Sequence, residues 1–246
     1  MADECLFCPR SVDSAEHIWS GWILKDLKHA TSVRMTVGRE SVWVDNPKIK
    51  IEAVCRTCNN GWMSQCEEAS KLPIRAMIKD DPCGLTKSDQ QKLSRWAMLK
   101  AMVVDSINPT RQLFYTRSER TELKDQSTLP NRTLVWLGRL SRKAYHAGGT
   151  DIWGEIEKLP KSSHGNVTTI IVGHLLVQIL TLHVTERFAS QPVQIGCMLG
   201  DWNANLLDIW PTVGLLQWPP NVSFTFGGTN SIVNVLNRWK IGENIG

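Results

Sequence analysis

Trp19, Trp22, Ile23 and Leu27 recur at three- and four-residue intervals, which predicts a helix from Glu16 to about Lys28. Apolar and polar residues then alternate over Ser41–Val44 and Lys48–Val54. With Asp45-Asn46-Pro47 between them, these segments are expected to form a hairpin. Trp62, Cys66 and Ala69 fall on one face of a second helix expected to end near Pro73, because proline cannot donate the next helical hydrogen bond. Asp80-Asp81-Pro82 reads as a linker, dividing the chain into residues 1–80 and 81–246.

A long helix follows, with Ser88-Asp89-Gln90-Gln91 as a capping box and Leu93, Trp96, Ala97, Ala101 and Val104 as its core stripe, reaching Asp105. Lys100 interrupts that stripe, and its long stem is expected to snorkel to solvent. Thr133–Leu140 and Val167–Val184 are β-branched and apolar and read as strands, the second long enough for a hairpin or a partly helical segment. Ser231–Trp239 reads as a short helix. The fold class is therefore α+β.

Two cysteine pairs change this picture. Cys5-Leu-Phe-Cys8 and Cys55-Arg-Thr-Cys58 each turn two thiolates toward one point, and together they supply the four soft ligands of a tetrahedral structural zinc. Redox-active pairs are the alternative, and two pairs favour the metal. The 46 residues between the pairs exceed the spacing of a compact zinc ribbon, and Glu16-His17 lies among them. Knuckle, hairpin and helix come in the order of a treble-clef zinc unit. A zinc that only holds the first 80 residues together would account for the same cysteines.

The order Cys-x-x-Cys, acid-His, Cys-x-x-Cys-Asn resembles the HNH (ββα-metal) endonucleases, especially the zinc-stapled type with four cysteines. Ser14-Ala15-Glu16-His17-Ile18-Trp19 and Cys58-Asn59-Asn60-Gly61-Trp62-Met63-Ser64 are similar to a group of bacterial and phage HNH-like proteins. The resemblance covers about the first 70 residues. It implies hydrolysis of phosphodiester bonds in nucleic acid, with DNA the expected substrate ahead of RNA. It further implies His17 as general base, and Glu16 and Asn59 as oxygen ligands of a catalytic Mg²⁺ or Mn²⁺. The structural Zn²⁺ would remain on Cys5, Cys8, Cys55 and Cys58. Glu16 stands where the family more often has aspartate. A catalytically silent zinc module that binds nucleic acid or a protein partner is the alternative of a different class, and a redox or zinc-sensing regulator is a third.

Charge adds a candidate binding surface. Residues 81–150 carry 12 basic and 6 acidic side chains, an excess larger than the net +4 of the whole 246-residue chain. Arg111, Arg117, Arg132 and Arg139 are the candidate phosphate contacts. A solvated charged face would read the same way. No stretch of about 18 apolar residues occurs, so a cytoplasmic protein with no membrane partner is expected.

The remaining cysteines, Cys66, Cys83 and Cys197, are expected to be core thiols. Eleven tryptophans stand against two tyrosines; Trp136, Trp153, Trp202, Trp210, Trp218 and Trp239 could stack on unpaired bases, but a core role is the default. His146, His164, His174 and His183 show no second site by spacing. Residues 81–246 are thus assigned to recognition of substrate, a protein partner or a second copy by elimination alone.

Overall fold

A computed structural model describes residues 4–26, 33–37, 40–44, 50–107, 113–153, 164–183 and 206–225. The elements run β1 (Ser14–His17), α1 (Gly21–Asp26), β2 (Val33–Val37), β3 (Glu40–Val44), β4 (Lys50–Val54), α2 (Arg56–Cys58), α3 (Ser64–Lys79) and β5 (Cys83–Leu85). They continue with α4 (Lys87–Asp105), α5 (Arg117–Asp125), β6 (Thr133–Trp153), β7 (His164–His183), β8 (Leu207–Trp210) and β9 (Leu216–Trp218). Helices and strands are mixed throughout, as the α+β reading requires.

The stretch expected to be helical from Glu16 is split. Residues 14–17 form β1, antiparallel to β4 with Glu16 opposite Ile51 and His17 opposite Lys50, and among the described residues of this stretch the helix covers 21–26. The expected hairpin between β3 and β4 is likewise replaced: β3 pairs with β2, while β4 crosses to β1. Alternation along a segment reports that it is a strand; it does not name the partner. The turn expected at Asp45–Pro47 and the helix expected at Ser231–Trp239 lie outside the described residues.

Two helix boundaries also move. Helix α3 runs through Pro73 to Lys79 and ends at Asp80 in left-handed conformation (φ 69°). The proline costs one backbone hydrogen bond. Burial of Ile74, Met77 and Ile78 beyond it carries the helix on. In α4 the cap is Thr86, not Ser88: the Thr86 side chain accepts from the Asp89 N–H and the Asp89 carboxylate accepts from the Thr86 N–H.

Strands β3, β2, β6 and β7 lie side by side in one sheet, β2 parallel to β6, with β8 also on β6. Helices α3 and α4 pack on β7. Residues on both sides of position 80 share this arrangement, and the buried apolar side chains form one continuous cluster that includes Cys5, Trp19, Met77, Trp96, Ile179 and Trp218.

Strand β7 is bent double. Gly173, midway along it, has φ +61°, and the two arms face each other: His164 meets His183, Gly165 lies against Leu182, and Thr169 bonds Gln178. A Cβ on Gly173 would stand 2.5 Å from the Ile78 carbonyl oxygen of α3. Both arms are buried almost without interruption, so the run of apolar residues reflects coverage on both faces. Gly173→Ala is therefore expected to lower stability by about 3 kcal/mol, combining a left-handed conformation with a backbone clash. That corresponds to a fall in melting temperature of about 6–12 °C in a chain of this size, measurable by calorimetry.

Candidate metal centre and the strand pair beside it

The first cysteine pair sits in a tight turn closed by the Cys5 N–H donating to the Arg10 carbonyl (2.7 Å), and the Leu6 N–H donates to Ala53 of β4 (2.9 Å). Strand β4 then runs straight into Cys55. Its thiol accepts from the Cys58 N–H at 3.4 Å, and its carbonyl accepts from the Asn59 N–H at 3.0 Å. The two turns thus face each other across one strand end.

The four sulfurs of Cys5, Cys8, Cys55 and Cys58 all lie within 4.8 Å of one another, and all four residues are buried. Cys8 Sγ is 3.5 Å from Cys55 Sγ and 3.6 Å from Cys58 Sγ. A tetrahedral zinc with bonds of about 2.3 Å separates its sulfurs by roughly 3.8 Å. The donors and their spacing fit a four-thiolate zinc. Burial opposes ionisation of Cys55, but the Cys58 N–H and the neighbouring thiols bring its pKa down to about 7. Cys66 differs: burial pushes it up to about 11, in keeping with an inert core thiol.

The Glu16–His17 dipeptide lies on β1, where successive side chains leave opposite faces of the strand. The Glu16 carboxylate is buried and accepts from Lys100 Nζ of α4 at 2.5 Å. Lys100 also donates to Glu67 of α3 (2.6 Å) and to the His17 carbonyl (2.9 Å), and Ser20 donates to the same Glu67 oxygen (2.5 Å). Lys100 is fully buried, so the expectation that it snorkels to solvent is corrected. Two carboxylates and a carbonyl use all three ammonium protons, which makes burial tolerable. Desolvation works to lower the Lys100 pKa, and the attraction of Glu16 and Glu67 raises it above its ordinary value.

His17 is half-buried, and its ring has no hydrogen-bond partner among the described residues. Burial, then the charge of Lys50 across the strand pair, holds its pKa below the ordinary imidazole value. It is therefore neutral at pH 7 and able to accept a proton. Asn59 begins the wide turn of residues 59–63 that leads into α3, and its amide nitrogen donates to Ser14 Oγ (2.9 Å) and the Ala15 carbonyl (3.1 Å). Asn59 is thus tied to the start of β1, whereas Glu16 is turned toward Lys100. The pair fits a Mg²⁺ or Mn²⁺ ion poorly while Glu16 Oε1 is committed to an ammonium.

The arginines named from charge are largely engaged within the protein. Arg139 holds Asp80 through a fork of contacts at 2.5, 2.9 and 3.1 Å, and Arg117 pairs with Glu4. Arg132 is half-buried with φ 57°, and Arg111 lies outside the described residues. Trp136 and Trp218 are core residues and Trp210 is half-buried; the side chains of Trp153, Trp202 and Trp239 are outside the described set.

Two constellations escape sequence reasoning. One is the Lys100–Glu16–Glu67 network, whose single signal is a lysine inside an apolar stripe. The other joins Glu119, His164 and His183, which are separated by up to 64 residues and give no signal by spacing. No family model, curated protein or solved structure matches this chain. No helix among the described residues is long and apolar enough to cross a membrane.

Proposed function

We propose that the chain is a zinc-stapled HNH-type endonuclease of treble-clef form that hydrolyses phosphodiester bonds in nucleic acid, DNA in preference to RNA. The observation that carries this reading is the placement of His17. It sits on a strand paired to the one that enters the second cysteine turn, its ring is unpartnered among the described residues, and its pKa is lowered. Asn59, at the helix side of the same turn, is held against that strand.

In this reading a ring nitrogen of His17 takes the proton from an attacking water. Lys100, by gripping the His17 carbonyl, fixes the strand that carries the ring. Asn59 and Glu16 would hold a divalent ion, to neutralise charge on the phosphate, only with Glu16 released from Lys100. The test is nicking of plasmid, branched and single-stranded DNA with Mg²⁺, Mn²⁺ or Ni²⁺. His17→Ala is expected to reduce cleavage about 10²–10⁴-fold while zinc content and nucleic-acid affinity stay near wild type. Binding without cleavage by the wild-type protein on every substrate and ion would sink the nuclease reading.

A second reading is favoured by one specific observation, the commitment of Glu16 to Lys100. A carboxylate already neutralised by a buried ammonium is a weak ligand for a divalent ion. On that reading the unit binds nucleic acid or a protein without cutting it, and His17→Ala changes nothing but affinity.

A further inference from the structure

We propose that His164 and His183, at the two ends of the doubled strand β7, form a second metal site, a two-nitrogen site for a borderline divalent ion such as Zn²⁺, backed by Glu119. The proposal is independent of the nuclease reading and of the four-cysteine centre.

The geometry is specific. His164 Nε2 and His183 Nδ1 face each other at 3.3 Å. Two imidazole nitrogens on one tetrahedral zinc, at bonds of about 2.0–2.1 Å, are roughly 3.3–3.4 Å apart. An ion can therefore take the place of the proton between them with little movement of either ring. The other nitrogen of His183, Nε2, lies 2.8 Å from Glu119 Oε1.

That carboxylate settles the tautomer. Its second oxygen accepts from the Thr116 N–H (2.8 Å) and hydroxyl (2.9 Å) as the capping box of α5. An ionised carboxylate only accepts, so His183 Nε2 carries the hydrogen and Nδ1 presents its lone pair to His164. Carboxylate, histidine and metal in that order is the arrangement that orients a ligating imidazole and raises its basicity.

The rings are also fixed by packing. Phe114 stacks on His183 with centroids 4.2 Å apart and planes at 5°, and meets His164 edge-on at 5.3 Å. His183 and Glu119 keep about a fifth of their side-chain surface exposed (21% and 16%), which leaves an ion a route in. Glu119 stands behind His183, not beside the nitrogen pair, so it is not a third ligand. A tetrahedral ion would keep two positions for water or an external donor, which distinguishes this site from the closed cysteine site. Nitrogen donors select Zn²⁺, Cu²⁺ or Ni²⁺ over Mg²⁺ or Ca²⁺.

The test is equilibrium dialysis of the full chain, its four-cysteine cluster first saturated with zinc, against Zn²⁺ at pH 7.5 with elemental analysis. A second equivalent is expected at micromolar free zinc. It should be lost in His164→Gln and in His183→Gln, and weakened about 10–100-fold in Glu119→Gln. Because a variant could fail to fold, nitrogen-15 spectra of the wild-type imidazoles supply an independent reading. On zinc addition His164 Nε2 and His183 Nδ1 should shift, and the other four histidines of the chain should not. No second equivalent at submillimolar zinc, a second equivalent that survives both histidine substitutions, or unshifted His164 and His183 resonances would overturn the proposal.

Discussion

Lys100→Met is expected to destabilise the protein by about 3–5 kcal/mol, because it removes the ammonium that neutralises Glu16 and Glu67 among the described residues and takes its donor from the His17 carbonyl. The corresponding fall in melting temperature is about 6–20 °C. Most of this is the cost of stranding charge, not the net worth of the network. Replacing all three members by apolar or amide residues, Lys100→Met with Glu16→Gln and Glu67→Leu, should therefore recover much of the loss. A triple variant no more stable than the single one would show that the network itself, and not the orphaned carboxylates, supplies the stability. The pH dependence has a definite sign. The Lys100 pKa is raised from its ordinary 10.5, so the contribution is complete below about pH 10.5 and is lost only as pH climbs past the raised value. The lysine stays charged throughout the neutral range.

Removal of the metal is expected to have the larger effect. Four-thiolate zinc contributes apparent folding free energies of about 10–16 kcal/mol in small zinc units at neutral pH. Here the cysteine turns share a continuous core with α3 and α4, so part of the structure has other support. Cys55→Ser should abolish stoichiometric zinc, lower the melting temperature by more than about 10 °C, and expose residues 4–17 and 50–63 to hydrogen exchange before β6 and β7. Elemental analysis of the wild-type chain should return one zinc that strong chelators remove with the same loss of protection. A wild-type chain free of zinc, or an exchange pattern unchanged by chelation, would assign the four thiols to packing alone.

The four-cysteine cluster was legible because its information is local. A Cys-x-x-Cys turn brings its own two thiols together whatever the rest of the chain does, so two such pairs announce four ligands without any knowledge of topology. The long core helix was legible for the same reason: Leu93, Trp96, Ala97, Ala101 and Val104 carry their period within one segment. Its exact cap was less so, since Thr86-x-x-Asp89 and Ser88-x-x-Gln91 overlap and the choice rests on where β5 releases the chain.

What the pattern could not carry is partnership. Alternation over residues 50–54 marks a strand, but its pairing with β1 instead of β3 joins residues more than 30 positions apart, beside the place where the Leu6 N–H meets Ala53. The helical spacing of Trp19, Trp22 and Ile23 extended one reading back over Glu16 and His17, which the ladder to β4 claims instead. Lys100 looked like a surface residue with an apolar stem because its two carboxylate partners lie 33 and 84 positions away.

By itself, then, the sequence determined the two cysteine pairs that meet in one cluster able to hold a metal, the mixed helix and strand content, and the core face of α4, all properties of neighbours along the chain. Tertiary structure alone decided that Glu16 faces an ammonium, that a glycine with φ +61° doubles β7 on itself, and that this fold brings His164 to His183. The physical reason is that the desolvation cost of a buried charge is offset only where a distant partner completes it, and a strand's two ends meet only once the whole strand is bent.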